Sequence, residues 1–258
     1  MLFPPGVAEV MLALCGLCIG SFLNVCIHRL PRRTSIVFPA SRCPACAHAL
    51  AWSDNIPVAS YLALRGRCRY CGAPISARYP FVEALTCAVF LLHWPVFGDA
   101  PLLLTVRLLF AGAMIVLFAI DLEHQILPNV ITLPGIVAGL ACSLVLPPGP
   151  LMSLAGIALG GGLLWAIAEG WYRLRKVEGM GFGDVKMLAM IGAFLGVKLV
   201  VLTFVLSSMI GGLIGVTLVV SRRADMATRV PFGTMLAVAA LVASLYGERL
   251  LIWYLATM

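Results

Sequence analysis

The stretch "PLLLTVRLLFAGAMIVLFAID", residues 101 to 121, carries a single charge, Arg107, before it reaches an aspartate. About 20 apolar helical residues span the hydrocarbon of a bilayer. Residues 101–120 therefore read as a transmembrane helix that delivers Asp121 to one membrane face. Comparable runs cover 7–27, 81–97, 129–146, 151–171, 187–197, 199–220 and 232–246. With 62% hydrophobic and 11% charged residues, the chain is expected to be an all-α polytopic membrane protein of about eight transmembrane helices, the sixth short. The first positive residue is Arg29, so the first run lacks the basic region of a secretory signal. It is expected to stay as a membrane helix with no cleaved leader.

Lys and Arg favour cytoplasmic loops. Arg29, Arg32, Arg33, Arg42, Arg65, Arg67, Arg69 and Arg78 lie between the first two helices, Arg173, Arg175, Lys176 and Lys186 between the fifth and sixth, and Arg222, Arg223 and Arg229 between the last two. That puts 15 of 18 basic residues on one side. "GDAP" at 98–101 and "PPGP" at 147–150 carry none, Lys198 marks the turn between the sixth and seventh helices, and Arg249 follows the eighth. Both termini are expected outside the cytoplasm. This asymmetry accounts for the net charge of +7, and a nucleic-acid partner is not needed to explain it. Arg107 is expected to snorkel to the outer interface. Gly156 with Gly160, Gly192 with Gly196 and Gly211 with Gly215 have the small-xxx-small spacing that lets helices approach in lipid.

Residues 28–80 form the only sizeable segment between spans. Cys43-x2-Cys46 and Cys68-x2-Cys71 have the spacing of two knuckles that converge on one tetrahedral Zn²⁺. A shell filled by four thiolates leaves no position for substrate water, so the expected role is structural, and about 50 residues bury too little core to do without a staple. His48 is a competing ligand, but the four cysteines are the simpler set. Cys15, Cys18, Cys26, Cys87 and Cys142 fall in or at the ends of helices, where they read as small hydrophobes.

The second informative aspartate lies in "GMGFGDVKML", residues 179–188. The third and fifth helices both run inward, and the glycine-rich loop after the fifth returns the chain at Asp184. The two carboxylates then reach one membrane face from opposite directions. An interfacial charge at Asp121 and a helix N-cap at Asp184 are the plainer readings of each alone. As a pair at matched depth, they suit general acid–base hydrolysis, with one protonated carboxyl polarising a carbonyl and the other activating water. Gly179, Gly181 and Gly183 would admit an extended substrate backbone. The helix dipole assigns Asp184, at a helix start, as the base and Asp121, past a helix end, as the proton carrier.

"GSFLNVCIHRLP" (20–31), the two cysteine pairs around "DNIPVASYLALRGRC" (54–68), "RYPFVEALT" (78–86), Asp121 with "ILP" (126–128), "GFGDVKM" (181–187) and "PFG" (231–233) together resemble the bifunctional type IV prepilin peptidase family, in order and across almost the whole chain. The resemblance implies an aspartic protease of the bacterial inner membrane with its active site on the cytoplasmic side. Such an enzyme cuts the basic leader from type IV prepilins or type II secretion pseudopilins and then methylates the new N-terminus with S-adenosylmethionine. It also implies catalytic Asp121 and Asp184, zinc ligands Cys43, Cys46, Cys68 and Cys71, and three regions: a first transmembrane helix at 1–27, a zinc-binding domain at 28–80 and a transmembrane peptidase domain at 81–258. Glu83, Glu123 and Glu178 are candidates to meet the leader's positive charge, and Lys186 to tune the carboxylate pair. The methyl-donor site is marked only by the region of Glu83 and Cys87, where this chain has a thiol in place of the family's glycine. Four alternatives stay open: a transporter with interfacial acids, a membrane-anchored zinc module without catalysis, an intramembrane protease of the presenilin type that shares the GxGD arrangement, and a peptidase without methyl transfer.

Overall fold

The computed structural model describes residues 6–176, 181–221 and 231–257. Glu178, Gly179, Arg222, Arg223 and Arg229 lie outside the described residues. The described chain is helical and holds no strand, only two isolated bridges. Six helices are long and apolar enough to cross a membrane: α1 (Val7–Arg29), α3 (Arg78–Phe97), α4 (Pro101–His124), α6 (Pro150–Arg175), α7 (Phe182–Val220) and α8 (Phe232–Ala256). A one-turn α2 (Ala59–Ala63) lies between α1 and α3, and α5 (Asn129–Ser143) is apolar but shorter. This is a multi-pass membrane protein. It forms two compact units, Met1–Val116 and Leu117–Met258, whose boundary falls within α4.

In the first unit α1 and α3 pack antiparallel. Glu9 accepts from Trp94 Nε1 at 3.0 Å, Gly16 faces Cys87, Gly20 faces Glu83, and Asn24 Nδ2 donates to the Tyr79 carbonyl at 3.0 Å. The glycines allow the approach: a Cβ at Gly16 would lie 2.7 Å from Cys87 Cα, and one at Gly20 2.7 Å from Glu83 Cα. Spacing of the same kind is thus used here at a pair the sequence reading did not single out. Arg107 is buried against its neighbours, with its guanidinium 5.6 Å from the ring centroid of Phe97, the half-buried last residue of α3.

In the second unit α7 is the organising element. Its 39 residues would make a straight rod of about 58 Å, nearly twice the ~30 Å hydrocarbon thickness. It is not straight. Gly196 takes φ 74° and ψ −177°, and the chain folds back there: the space beside Gly160 is bounded by the Leu188 carbonyl before the break and by Val200 Cγ2 after it. The expected sixth and seventh helices therefore exist as the two halves of α7. They turn at Gly196 and not at Lys198, since only glycine takes this positive φ without strain. Gly156 and Gly192 meet backbone to backbone between α6 and the first half of α7, as their spacing predicts. On α5, Gly135 makes room for the Met190 side chain and Gly139 for Ala193 and the Phe194 ring. Gly215 faces open space and Gly211 makes only an ordinary contact with Met235, so that third pair does not serve a close approach. The second half of α7 runs back along α8, with Leu199 and Leu202 beside Gly247 and Met235 beside Gly211.

Candidate active site

α4 continues to His124, beyond the expected end at 120, so Asp121 sits inside the last turn of a helix and is buried. Its Oδ2 accepts the backbone N–H of Thr234 at 2.8 Å. Thr234 is the third residue of α8, where helical N–H groups have no intrahelical partner. Pro231 opens that helix with its φ fixed at −65°, and the Thr234 hydroxyl is turned away to the Pro231 carbonyl at 2.6 Å. Asp121 is therefore an N-cap supplied from 113 residues away. Gly233 makes this possible, because a Cβ there would lie 2.8 Å from Asp121 Oδ2.

Asp184 is buried in the first turn of α7, and its backbone N–H closes on the Gly181 carbonyl at 3.1 Å. Leu127 links the surroundings of the two aspartates. A Cβ at Gly183 would meet Leu127 Cβ at 3.0 Å, and one at Gly233 would meet Leu127 Cδ1 at 3.0 Å. The chain reaches Leu127 through a left-handed turn at Gln125, φ 53°. Lys186 Nζ donates to Asn129 Oδ1 at 2.5 Å, which joins the starts of α5 and α7, and its charge lies 5.2 Å from the Phe182 ring centroid. Lys186 thus ties helices together. Glu123 is exposed and lies 3.9 Å from His124 Nε2.

This geometry removes the premise of the dipole assignment. Asp121 is not beyond a helix end but within α4, and its carboxylate faces the positive end of α8. Sequence reasoning missed Thr234, Gly233, Leu127 and Asn129. Only "PFG" and "ILP" hinted at them, and neither string says what it touches.

The four cysteines converge. Their sulfur atoms all lie within 4.8 Å of one another, and Cys43 Sγ is 3.9 Å from Cys71 Sγ. Tetrahedral thiolates at about 2.3 Å from a zinc ion stand about 3.8 Å apart, so the set fits a metal ion of that size. Two knuckles repeat the same bonds: Cys43 N–H to the His48 carbonyl and Ala47 N–H to Cys43, then Cys68 N–H to Ala73 and Gly72 N–H to Cys68. Ala47 (φ 58°) and Gly72 (φ 70°) take equivalent places. The N–H groups of Cys46 and Ala45 hold the Cys43 thiol down to about 6. At Cys71 the Ala73 N–H favours the anion, but burial and hydrogen bonds with the other three thiols push it up to about 11. His48 stacks on Tyr70 with ring centroids 3.6 Å apart and is not among the converging set. Arg69 grips Asp54 through two nitrogens at 2.9 and 2.7 Å.

Glu83, the first candidate for the methyl-donor region, is buried on α3. Its Oε2 accepts the Val58 N–H at 2.7 Å, and the Ser21 hydroxyl also hydrogen-bonds it. One turn along the seam, Asn24 Oδ1 is buried without a hydrogen-bond partner among the described residues. Cys87 is half-buried on the same helix, and its Cα is pressed by Gly16.

Buried carboxyls at the ends of membrane helices, together with a cluster of four thiols that could hold a metal ion after the first helix, define a polytopic membrane protein. The Bacterial Peptidase A24 N-terminal domain matches residues 14–97, and the Type IV leader peptidase family matches residues 108–216. A protein of Aeromonas hydrophila named prepilin leader peptidase/N-methyltransferase is 37% identical over 93% of this chain and 91% of its own length. One of the same name from Pseudomonas aeruginosa is 36% identical over 94% and 91%. The chain belongs to the type IV leader peptidase family. No solved structure matches it.

Proposed function

We propose that this protein removes the basic leader from type IV prepilins or secretion pseudopilins and then methylates the exposed N-terminus. The observation that carries the reading is the burial of Asp121 and Asp184 at helix ends, with Leu127 reaching the glycines beside both. Asp121, held as an acceptor by Thr234, takes a proton from water as its oxygen attacks the scissile carbonyl carbon. Protonated Asp184 donates toward the developing oxyanion. The proton held at Asp121 then passes to the leaving nitrogen as the C–N bond breaks, and Asp184 regains its own. The burial of both carboxyls favours a neutral member in the resting pair.

Zinc is the proposed occupant of Cys43, Cys46, Cys68 and Cys71, where it would hold the two knuckles together without a Lewis-acid position. S-Adenosylmethionine supplies an electrophilic methyl group when bound. The seam residues suit a polar, cationic donor: Glu83 offers a buried carboxyl and Asn24 Oδ1 an acceptor with no hydrogen-bond partner among the described residues. The crowding of 15 of 18 basic residues into one set of loops supports a cytoplasmic position for the thiol cluster and both aspartates, at the inner membrane. The acids stand at helix ends, which favours this reading over a transporter. Incubation of purified protein with a prepilin and methyl donor, followed by mass analysis of the product, tests it. A shortened and methylated product is expected, and an uncut prepilin overturns the reading.

A further inference from the structure

α1 ends at Arg29, and its 23 residues make a rod of about 34 Å, slightly longer than the ~30 Å hydrocarbon. Arg29 therefore belongs at headgroup level. Its guanidinium does not point into solvent alone: Nη1 donates to the Ser35 carbonyl at 2.9 Å and Nη2 to the Pro39 carbonyl at 2.7 Å. Both ends of a short loop are thus pinned within one side chain's reach of the membrane helix. Ser35 Oγ accepts the N–H groups of Val37 and Phe38 at 3.2 and 3.3 Å, which fixes the tip from inside.

The tip is Ile36-Val37-Phe38, and the latter two side chains are 67% and 77% exposed. Two exposed arginines, Arg32 and Arg33, stand just before it. Three adjacent apolar side chains on a loop held open by its own hydrogen bonds would not stay in water without a partner surface. We propose that this loop is a membrane anchor whose tip enters the headgroup–acyl boundary of an anionic leaflet, with Arg32 and Arg33 on the phosphates.

The occupant follows from continuity and charge. The lipid-facing side of α1, with Leu14 and Phe22 exposed, leads directly to Arg29 and hence to the loop. Apolar tips flanked by cations are suited to anionic bilayer surfaces. The basic leader of a prepilin would be repelled by the same arginines. Docking at this point fixes the four-cysteine region against the bilayer at the exit of α1, which a flexible linker would not do.

The test uses the full-length protein in nanodiscs. Phe38→Trp is compared with the parent, whose five tryptophans form a common background, in lipids brominated either high on the acyl chain or near its methyl end. Excess quenching is expected from the upper bromines in anionic discs. Replacing Arg32 and Arg33 with Gln should lower the inserted population by about fivefold for each charge removed at low salt. In the unsubstituted protein, trypsin should cut at Arg32 and Arg33 more slowly in anionic than in neutral discs. The absence of excess quenching with both kinds of bromine, quenching that needs added prepilin, or trypsin rates indifferent to lipid charge would each overturn the proposal.

Discussion

Asp121 caps α8 at Thr234: the Thr234 backbone N–H meets Asp121 Oδ2 at 2.8 Å, so the first turn of α8 and the last turn of α4 share one hydrogen bond. The same bond positions a carboxylate and distinguishes its two oxygens.

Replacing either aspartate separates chemistry from folding. Asp121→Asn keeps an oxygen that can accept from Thr234, and Asp184→Asn keeps its volume, but neither amide can take up or return a proton at working pH. Each should lower prepilin cleavage by about 10²–10⁴-fold while the protein purifies in the same amount. A cleavage rate within a few-fold of wild type in either variant would remove that residue from the proposed mechanism.

Gly233→Ala probes the cap without touching a titratable group. The new Cβ would lie 2.8 Å from Asp121 Oδ2 and 3.0 Å from Leu127 Cδ1, so the carboxylate must shift. A displacement of that order costs about 10²-fold in turnover. Methylation of an already cut prepilin should be unchanged, and quantifying both products in one incubation reads the difference.

The seam of α1 and α3 should behave in the opposite way. Gly20→Ala drives a methyl against Glu83 Cα and Thr86 Oγ1, an overpacking that costs about 1–3 kcal/mol. It should lower Tm and weaken methylation before cleavage. Glu83→Gln, which keeps the shape and removes the charge, should raise the donor concentration needed for methylation. Cys87→Gly should leave cleavage untouched, because the close approach at this place is already made by Gly16.

Metal content checks the thiol cluster. Elemental analysis of gently purified protein should find about one zinc ion per chain. Cys43→Ser or Cys68→Ser should lose it and make residues 43–71 sensitive to protease. Ala47→Gly is expected to do the reverse, since Ala47 holds φ 58° where the second knuckle has Gly72. Relief of that backbone strain is worth about 1 kcal/mol and should appear as a higher Tm.

The sequence by itself determined the apolar runs, the two-knuckle cysteine spacing and the places of both aspartates beside those runs, because each is written in local order. Hydrocarbon thickness fixes the length of an apolar run, and a metal shell fixes C-x-x-C. Eight apolar helical runs are present among the described residues once α7 is taken as two halves, and six helices are long enough to cross a membrane. Tertiary structure decided what depends on residues far apart in the chain. Val200 beside Gly160 shows that Gly196, not Lys198, turns α7. The end of α3 brings the Phe97 ring to Arg107, a contact that local sequence does not reveal. The Thr234 N–H shows that the Asp121 carboxylate faces the start of α8, which the helix ends alone did not reveal. A carboxylate answers to whichever dipole it faces, and helix packing chooses that dipole.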